Sequence, residues 1–157
     1  MPFGNAFGDD GDIYISAWIF NRGDKTVTKP LVVGKCLQER PNKINFEANN
    51  GGDEYADGID KLLREQGFKT NITSSKASNQ IGKMAKIIQY APDIKRRFVF
   101  LREDLRDEEY KNGMEELGMI VQVGKNEHDD SADSCVQLLE AADGQTVGVA
   151  RVMNSPV

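Results

Sequence analysis

At 157 residues, 39% hydrophobic and 29% charged, the chain fits a single globular domain with a buried core, not a disordered segment. A net charge of −5 argues against holding nucleic acid by bulk electrostatics, although bound divalent ions would reverse the local field. No apolar run approaches the roughly 20 residues of a membrane span, and no signal-peptide pattern opens the chain.

Met1 to Gly11, rich in Gly, Asp, Asn and Phe, reads as a loop. Asp12 leads into Ile13 to Phe20, a run dense in β-formers, and Asn21-Arg22-Gly23-Asp24 is turn chemistry. The turn predicts a hairpin with a second strand over Thr26 to Leu37, interrupted at Pro30. Asn42 to Ala48 reads as a short strand. Asn49-Asn50-Gly51-Gly52 breaks it and starts a helix whose Tyr55, Ile59, Leu62 and Leu63 share one face. Gly67 sits where a helix C-cap glycine belongs, and Phe68 to Ile72 reads as the next strand. Strand–helix–strand is the signature of a parallel crossover.

A Ser/Lys/Asn loop, Thr73 to Asn79, precedes a helix over Gln80 to Tyr90. Phe98 to Leu101 reads as extended, Arg102 to Leu117 as a charged helix and Met119 to Val123 as a short apolar stretch. Asp129 and Asp130 open a last helix that buries Ala132, Cys135, Val136 and Leu139. The tail alternates weakly through Val147, Val149 and Val152 and predicts an edge strand. Cys36 and Cys135 lack any metal-ligand spacing and read as buried free thiols, consistent with a reducing cytoplasm. The sum is α/β.

Two places carry candidate chemistry. Glu47 ends a strand, the position from which open α/β sheets present side chains to a ligand crevice; the plainer reading is a solvated strand-end glutamate. The second is His128-Asp129-Asp130-Ser131-Ala132-Asp133. One aspartate suits an N-cap and a second the helix dipole, but three within five residues exceed what capping needs. Asp130 and Asp133 share a helix face, and oxygen ligands so close suit Mg²⁺ or Mn²⁺; the plainer reading is a capped, solvated helix start. His128 is a ligand, a hydrogen-bond partner of the carboxylates or a loop residue. Asp9, Asp10 and Asp12 form another acidic group, with Asp12 the best placed to face a site. Lys76 and Lys83 are candidate phosphate contacts or ordinary surface lysines. Trp18 and Tyr14 read as core packing. No GxSxG, P-loop, GxGxxG or HExxH motif is present.

Glu47-Ala48-Asn49-Asn50-Gly51-Gly52 after a strand, followed about eighty residues later by His128-Asp129-Asp130-x-x-Asp133 opening an apolar helix, resembles the nuclease half of phage terminase large subunits. Gly11-Asp12-x-Tyr14 and the lysine-bearing loop from Lys76 to Lys83 resemble the same family, over Pro2 to about Ala142. The resemblance implies an RNase H-like mixed sheet flanked by helices and cleavage of concatemeric double-stranded DNA with two Mg²⁺ or Mn²⁺ ions. It implies Glu47 and Asp130 as catalytic carboxylates and Asp129, Asp133 and Asp12 as further metal ligands or neighbours. It further implies Asn49 and His128 as their supports, and Lys76 and Lys83 as DNA contacts. The partners implied are an ATPase domain, a portal and a small terminase subunit, all in the host cytoplasm.

The family's first aspartate ends a strand that precedes Pro2, and Met1 stands in its place. The resemblance therefore implies a truncated first central strand, impaired cleavage, and a sheet gapped or completed by the Val147 to Val152 tail or by another chain. Two other readings stand beside it. One is a different RNase H-like nuclease such as a resolvase or transposase core; the other is a non-catalytic interaction module whose acidic loops only cap helices.

Overall fold

A computed structural model describes residues 1–6, 11–48, 52–75, 82–119 and 129–143. The fold is α/β; the described residues form five α-helices, a three-stranded mixed sheet and a two-stranded parallel sheet. The chain divides into two compact units, Met1–Phe20 with Ile81–Val157, and Asn21–Gln80.

In the first unit, β1 (Pro2–Ala6) pairs antiparallel with β2 (Ile13–Trp18), which pairs parallel with β5 (Phe98–Phe100). A hairpin is therefore present, but β2's partner precedes it in the chain. The opening segment expected as a loop is the partner strand, bent by a register shift at Phe3/Gly4. Composition misled here because the Gly and Asn of β1 occupy an edge strand, where packing demands are low.

Alternation along β2 sends Ile13 and Ile15 inward, where they meet Trp18, Phe98 and helices α3 (Lys83–Arg97), α4 (Glu108–Gly118) and α5 (Asp130–Asp143). Tyr14 points the other way and is 38% exposed, so of the two aromatics expected in the core only Trp18, fully buried, belongs to it. Tyr110 of α4 fastens the helix layer to the sheet. Its hydroxyl donates to the Ile15 carbonyl at 2.9 Å and accepts from the Leu101 amide at 2.9 Å.

Helix α3 runs through Pro92, seven residues beyond the expected end at Tyr90. The missing Pro92 amide costs one backbone bond, and burial of Ile87 and Ile94 on the core side outweighs it. The expected single helix over Arg102 to Leu117 is instead a 3-10 turn, Glu103–Leu105, followed by α4. Asp107 starts α4 anew by accepting from the Tyr110 amide at 2.9 Å. Cys135 and Cys36 are buried free thiols, as expected.

In the second unit, α1 (Lys25–Glu39) replaces the expected second hairpin strand. Thr26, Val27, Thr28 and Val32 favour strands by propensity, but the Asp24 carboxylate accepts from the Thr26 and Val27 amides and caps a helix. Val32 and Cys36, four apart, then bury one stripe. β3 (Lys43–Glu47), α2 (Gly52–Glu65) and β4 (Asn71–Ser75) form the expected parallel crossover. Ala56, Ile59 and Leu63 are the buried stripe of α2, while Leu62 is 37% exposed. Gly67, at φ 76°, ends α2 with Phe68 N–H bonded to Leu63 O and Gly67 N–H to Arg64 O. Phe68 is consumed by that cap, so β4 begins three residues later than expected.

Among the described residues no helix is long and apolar enough to cross a membrane. The tail from Val147 to Val152 and the stretch from 120 to 123 lie outside the described residues.

Candidate functional site

The first turn of α5 carries three aspartates. Asp129 stands just before the helix, and Asp130 and Asp133 fall on its first turn. Like charges this close repel, and the cation that offsets them is Lys83, the first residue of α3. Its Nζ lies 2.9 Å from Asp129 Oδ1, 3.2 Å from Asp130 Oδ1 and 3.9 Å from Asp133 Oδ2. Burial works to lower the Lys83 pKa, but hydrogen bonds to Asp129 and Asp130 and the charge of Asp133 outweigh it. The ammonium is held above its ordinary range. Asp133 also accepts from Gln137 Nε2 at 3.0 Å.

Behind this polar face, α4 grips the same turn. The Ser131 amide donates to Glu116 Oε2 at 2.8 Å, and Ser131 Oγ donates to the Gly113 carbonyl at 2.6 Å. Among the described residues Glu116 and Ser131 are buried despite their polarity, and the Glu116 carboxylate accepts from the Ser131 backbone amide. Amides of a helix's first turn have no partner within the helix. Here one of them is satisfied by a carboxylate from a neighbouring helix, which also suits the helix dipole.

Helices α3 and α5 are tied at two further points. Lys86 Nζ is 2.7 Å from Glu140 Oε1, and Arg97 Nη1 is 2.7 Å from Asp143 Oδ1. Positive side chains on α3 thus face negative ones along α5.

Glu47 ends β3 with an exposed side chain, in the second unit. The close approach after it explains the second glycine of Asn49-Asn50-Gly51-Gly52: a Cβ on Gly52 would overlap the Glu47 carbonyl. Asp12 is half-buried immediately before β2. Asn49, Lys76, His128, Asp9 and Asp10 lie outside the described residues. The structure therefore gathers Asp129, Asp130, Asp133 and Lys83 into one cluster, with Glu47 in the other unit.

Three carboxylates are hard oxygen donors, the right kind for Mg²⁺ or Mn²⁺. Their spacing is set by an ammonium, wider than the ~2.1 Å shell of Mg²⁺. Among the described residues no group of three or more His, Cys, Asp or Glu is arranged to hold a metal ion.

Two parts of the cluster were not anticipated. Lys83 was expected to contact phosphate, and nothing in a linear chain pairs it with carboxylates some fifty residues away. Glu116 did leave a signal: it follows Tyr110 and Gly113 at three-residue steps on α4, a charge on a buried stripe. Comparison with protein-family models, with curated proteins and with solved structures finds no match.

Proposed function

We propose that this chain is a nuclease domain of the phage terminase type, an RNase H-like endonuclease for double-stranded DNA that depends on Mg²⁺ or Mn²⁺. The observation that supports the reading is the approach of three aspartate oxygens to one cationic atom at the start of α5. The parallel crossover that ends β3 at Glu47 agrees with it, since carboxylates at strand ends face the ligand crevice of such sheets.

In this reading Asp130, with Asp129 and Asp133, holds divalent cation, and Asp12 of the same unit is a further ligand. When bound, such ions activate water and offset charge on the phosphodiester. Lys83 is the counter-ion of the metal-free cluster; released by an incoming cation, it would contact backbone phosphate.

A second reading has an observation of its own. Lys83 is one of three α3–α5 ion-pair stations, the pattern of a helix interface held by charge in a non-catalytic interaction module.

Titration with Mn²⁺, followed by thermal shift and by nicking of plasmid DNA, separates the two. The nuclease reading expects the wild type to be stabilised, Asp130→Ala to lose the shift, and Lys83→Met to bind Mn²⁺ more tightly. Failure of Lys83→Met, folded and freed of its competing ammonium, to bind Mn²⁺ overturns it.

A further inference from the structure

We propose that Arg40, Lys43 and Lys69, gathered at the N-terminal ends of β3 and β4, form a docking surface for the phosphodiester backbone of double-stranded nucleic acid. The surface lies within the second unit and does not depend on the nuclease reading. Glu47 closes the other end of β3, about 13 Å along the strand from Lys43, so the patch is separate from that carboxylate.

Two ties bring the cations together. The Asn71 amide donates to the Asn42 carbonyl at 3.3 Å, and Thr70 Oγ1 donates to the Pro41 carbonyl at 2.6 Å, which sets Lys69 beside the start of β3. The chain carries 25 acidic against 20 basic residues, and lysines such as Lys83 and Lys86 are answered by carboxylates. Among the described residues Arg40, Lys43 and Lys69 have no carboxylate partner. Arg40 and Lys69 are exposed, while Lys43 is half-buried, and burial lowers its pKa without an opposing anion.

The local backbone points the same way. Arg40 closes α1 at φ 50°, a left-handed position where glycine would be unstrained. Its guanidinium lies 4.7 Å from the centre of the Phe68 ring. Stacking uses the flat face of the guanidinium and leaves its N–H edges for an oxyanion, which arginine grips with paired bonds. Ile44 and Phe46 are buried on one face of the strand pair, so Lys43 and Asn71, partners in register, lie on the other. Parallel sheets are ordinarily apolar on both faces. Here the second face carries Lys43 and Asn71, then Asn45 and Thr73, which share a 3.0 Å hydrogen bond.

Cations spread over two strands suit a row of phosphates. The patch offers no platform for an unstacked base, because Phe68 is buried and already covered by Arg40. That favours a duplex, whose bases stack on one another, over a single strand. Binding through the backbone alone is indifferent to sequence and depends on local charge, which an acidic chain can still supply in one patch.

The experiment follows the fluorescence anisotropy of a labelled short DNA duplex with the whole chain, at low salt and in EDTA. The wild type is expected to bind, with a logarithmic salt slope of about 0.9 per phosphate contact and about three contacts. Arg40→Gln, Lys43→Gln and Lys69→Gln should each lower that slope by about 1, and the triple variant should lose binding. Lys25→Gln combined with Lys61→Gln, on exposed lysines elsewhere in the same unit, should leave it unchanged.

A wild type that does not bind duplex overturns the proposal, as does a triple variant that still binds or a control that weakens binding as the patch variants do. Preference for single-stranded DNA, or competition by polyglutamate as effective as by duplex, overturns it too. Should the triple variant not fold, an unchanged slope in both Lys43→Gln and Lys69→Gln decides against it. Because metal is chelated, a chain that binds duplex through this patch yet ignores Mn²⁺ sinks the nuclease reading alone.

Discussion

The indole of Trp18 lies flat against the backbone of Gly113: a Cβ added to Gly113 would come 2.7 Å from Trp18 Cε2 and 2.9 Å from Cδ2. The ring is fully buried, edge-on to Tyr110 at 5.7 Å and stacked with Phe100 at 6.1 Å. Buried rings of this kind sit in close-packed surroundings that leave little room to retreat. Alanine at position 113 gains about 1 kcal/mol of helix propensity but forces the ring or α4 to move, at about 1–3 kcal/mol. Gly113→Ala is expected to lower the urea midpoint and to shift the emission of the protein's single tryptophan. A raised midpoint would show that α4 does not rest on the ring.

Gly67 offers the opposite case. No atom lies within 4 Å of the Cβ it lacks, so the site has room, but its φ of 76° is left-handed. Gly67→Ala should therefore destabilise by roughly 1–2 kcal/mol through the backbone alone. Gly67→Asn should cost less, because asparagine tolerates that region. Equal losses for the two in chemical denaturation would contradict this account of the cap.

Lys83→Met removes the charge that lies within 4 Å of three carboxylates. The metal-free variant should melt below the wild type at low ionic strength and recover as salt screens the aspartates. No salt-dependent recovery would mean that the three carboxylates do not share the lysine. Because the wild-type ammonium is held above its ordinary pKa, its contribution is complete at neutral pH and disappears only as pH rises through that elevated value.

Burial pushes the Cys36 thiol up to about 11 and the Cys135 thiol up to about 12. Neither should react with iodoacetamide at pH 8 in the native protein, and both should react in denaturant. The unfolded chain loses these protons from about pH 9 while the folded chain keeps them, so stability falls as pH rises above that point. Cys36→Ala and Cys135→Ala should flatten the alkaline slope in thermal melts, and an unchanged slope would locate its origin elsewhere.

Asp24 is the residue on which the first helix turns. Hydrogen bonds from the Thr26 hydroxyl and from the Thr26 and Val27 amides hold its carboxyl below the usual range. Its contribution is present above the ordinary carboxylate pKa and is lost as pH falls through the lowered value. Asp24→Ala should speed amide exchange at Thr26 and Val27 first, with slow exchange near Cys36 retained. Uniform acceleration along α1 would mean that packing, not the cap, decides where the helix begins.

The residues that were legible from order alone share a cause. Ile59 and Leu63, or Ala132, Cys135, Val136 and Leu139, bury one stripe of a helix, and a stripe is a periodic feature of the chain itself. Likewise Gly67 marks its cap by local backbone geometry, and the crossover from β3 to β4 follows from the order of its three elements. Thr26 to Leu37 reads as a strand by its β-branched content but folds as a helix, because β propensity reflects packing surroundings more than backbone preference. Pro2–Ala6 has little strand character of its own and is a strand because β2 offers it a hydrogen-bonding edge.

The amino-acid sequence by itself determined the α/β class, the acidic start of α5 and the burial of both cysteines, because each is written in neighbouring residues or in a short period. Only the tertiary structure decided that Lys83 answers the aspartates and that Glu116 takes the Ser131 amide. Coulomb attraction and hydrogen bonding act over a few ångströms of space, irrespective of distance along the chain, so such partners exist only once helices α3, α4 and α5 have packed.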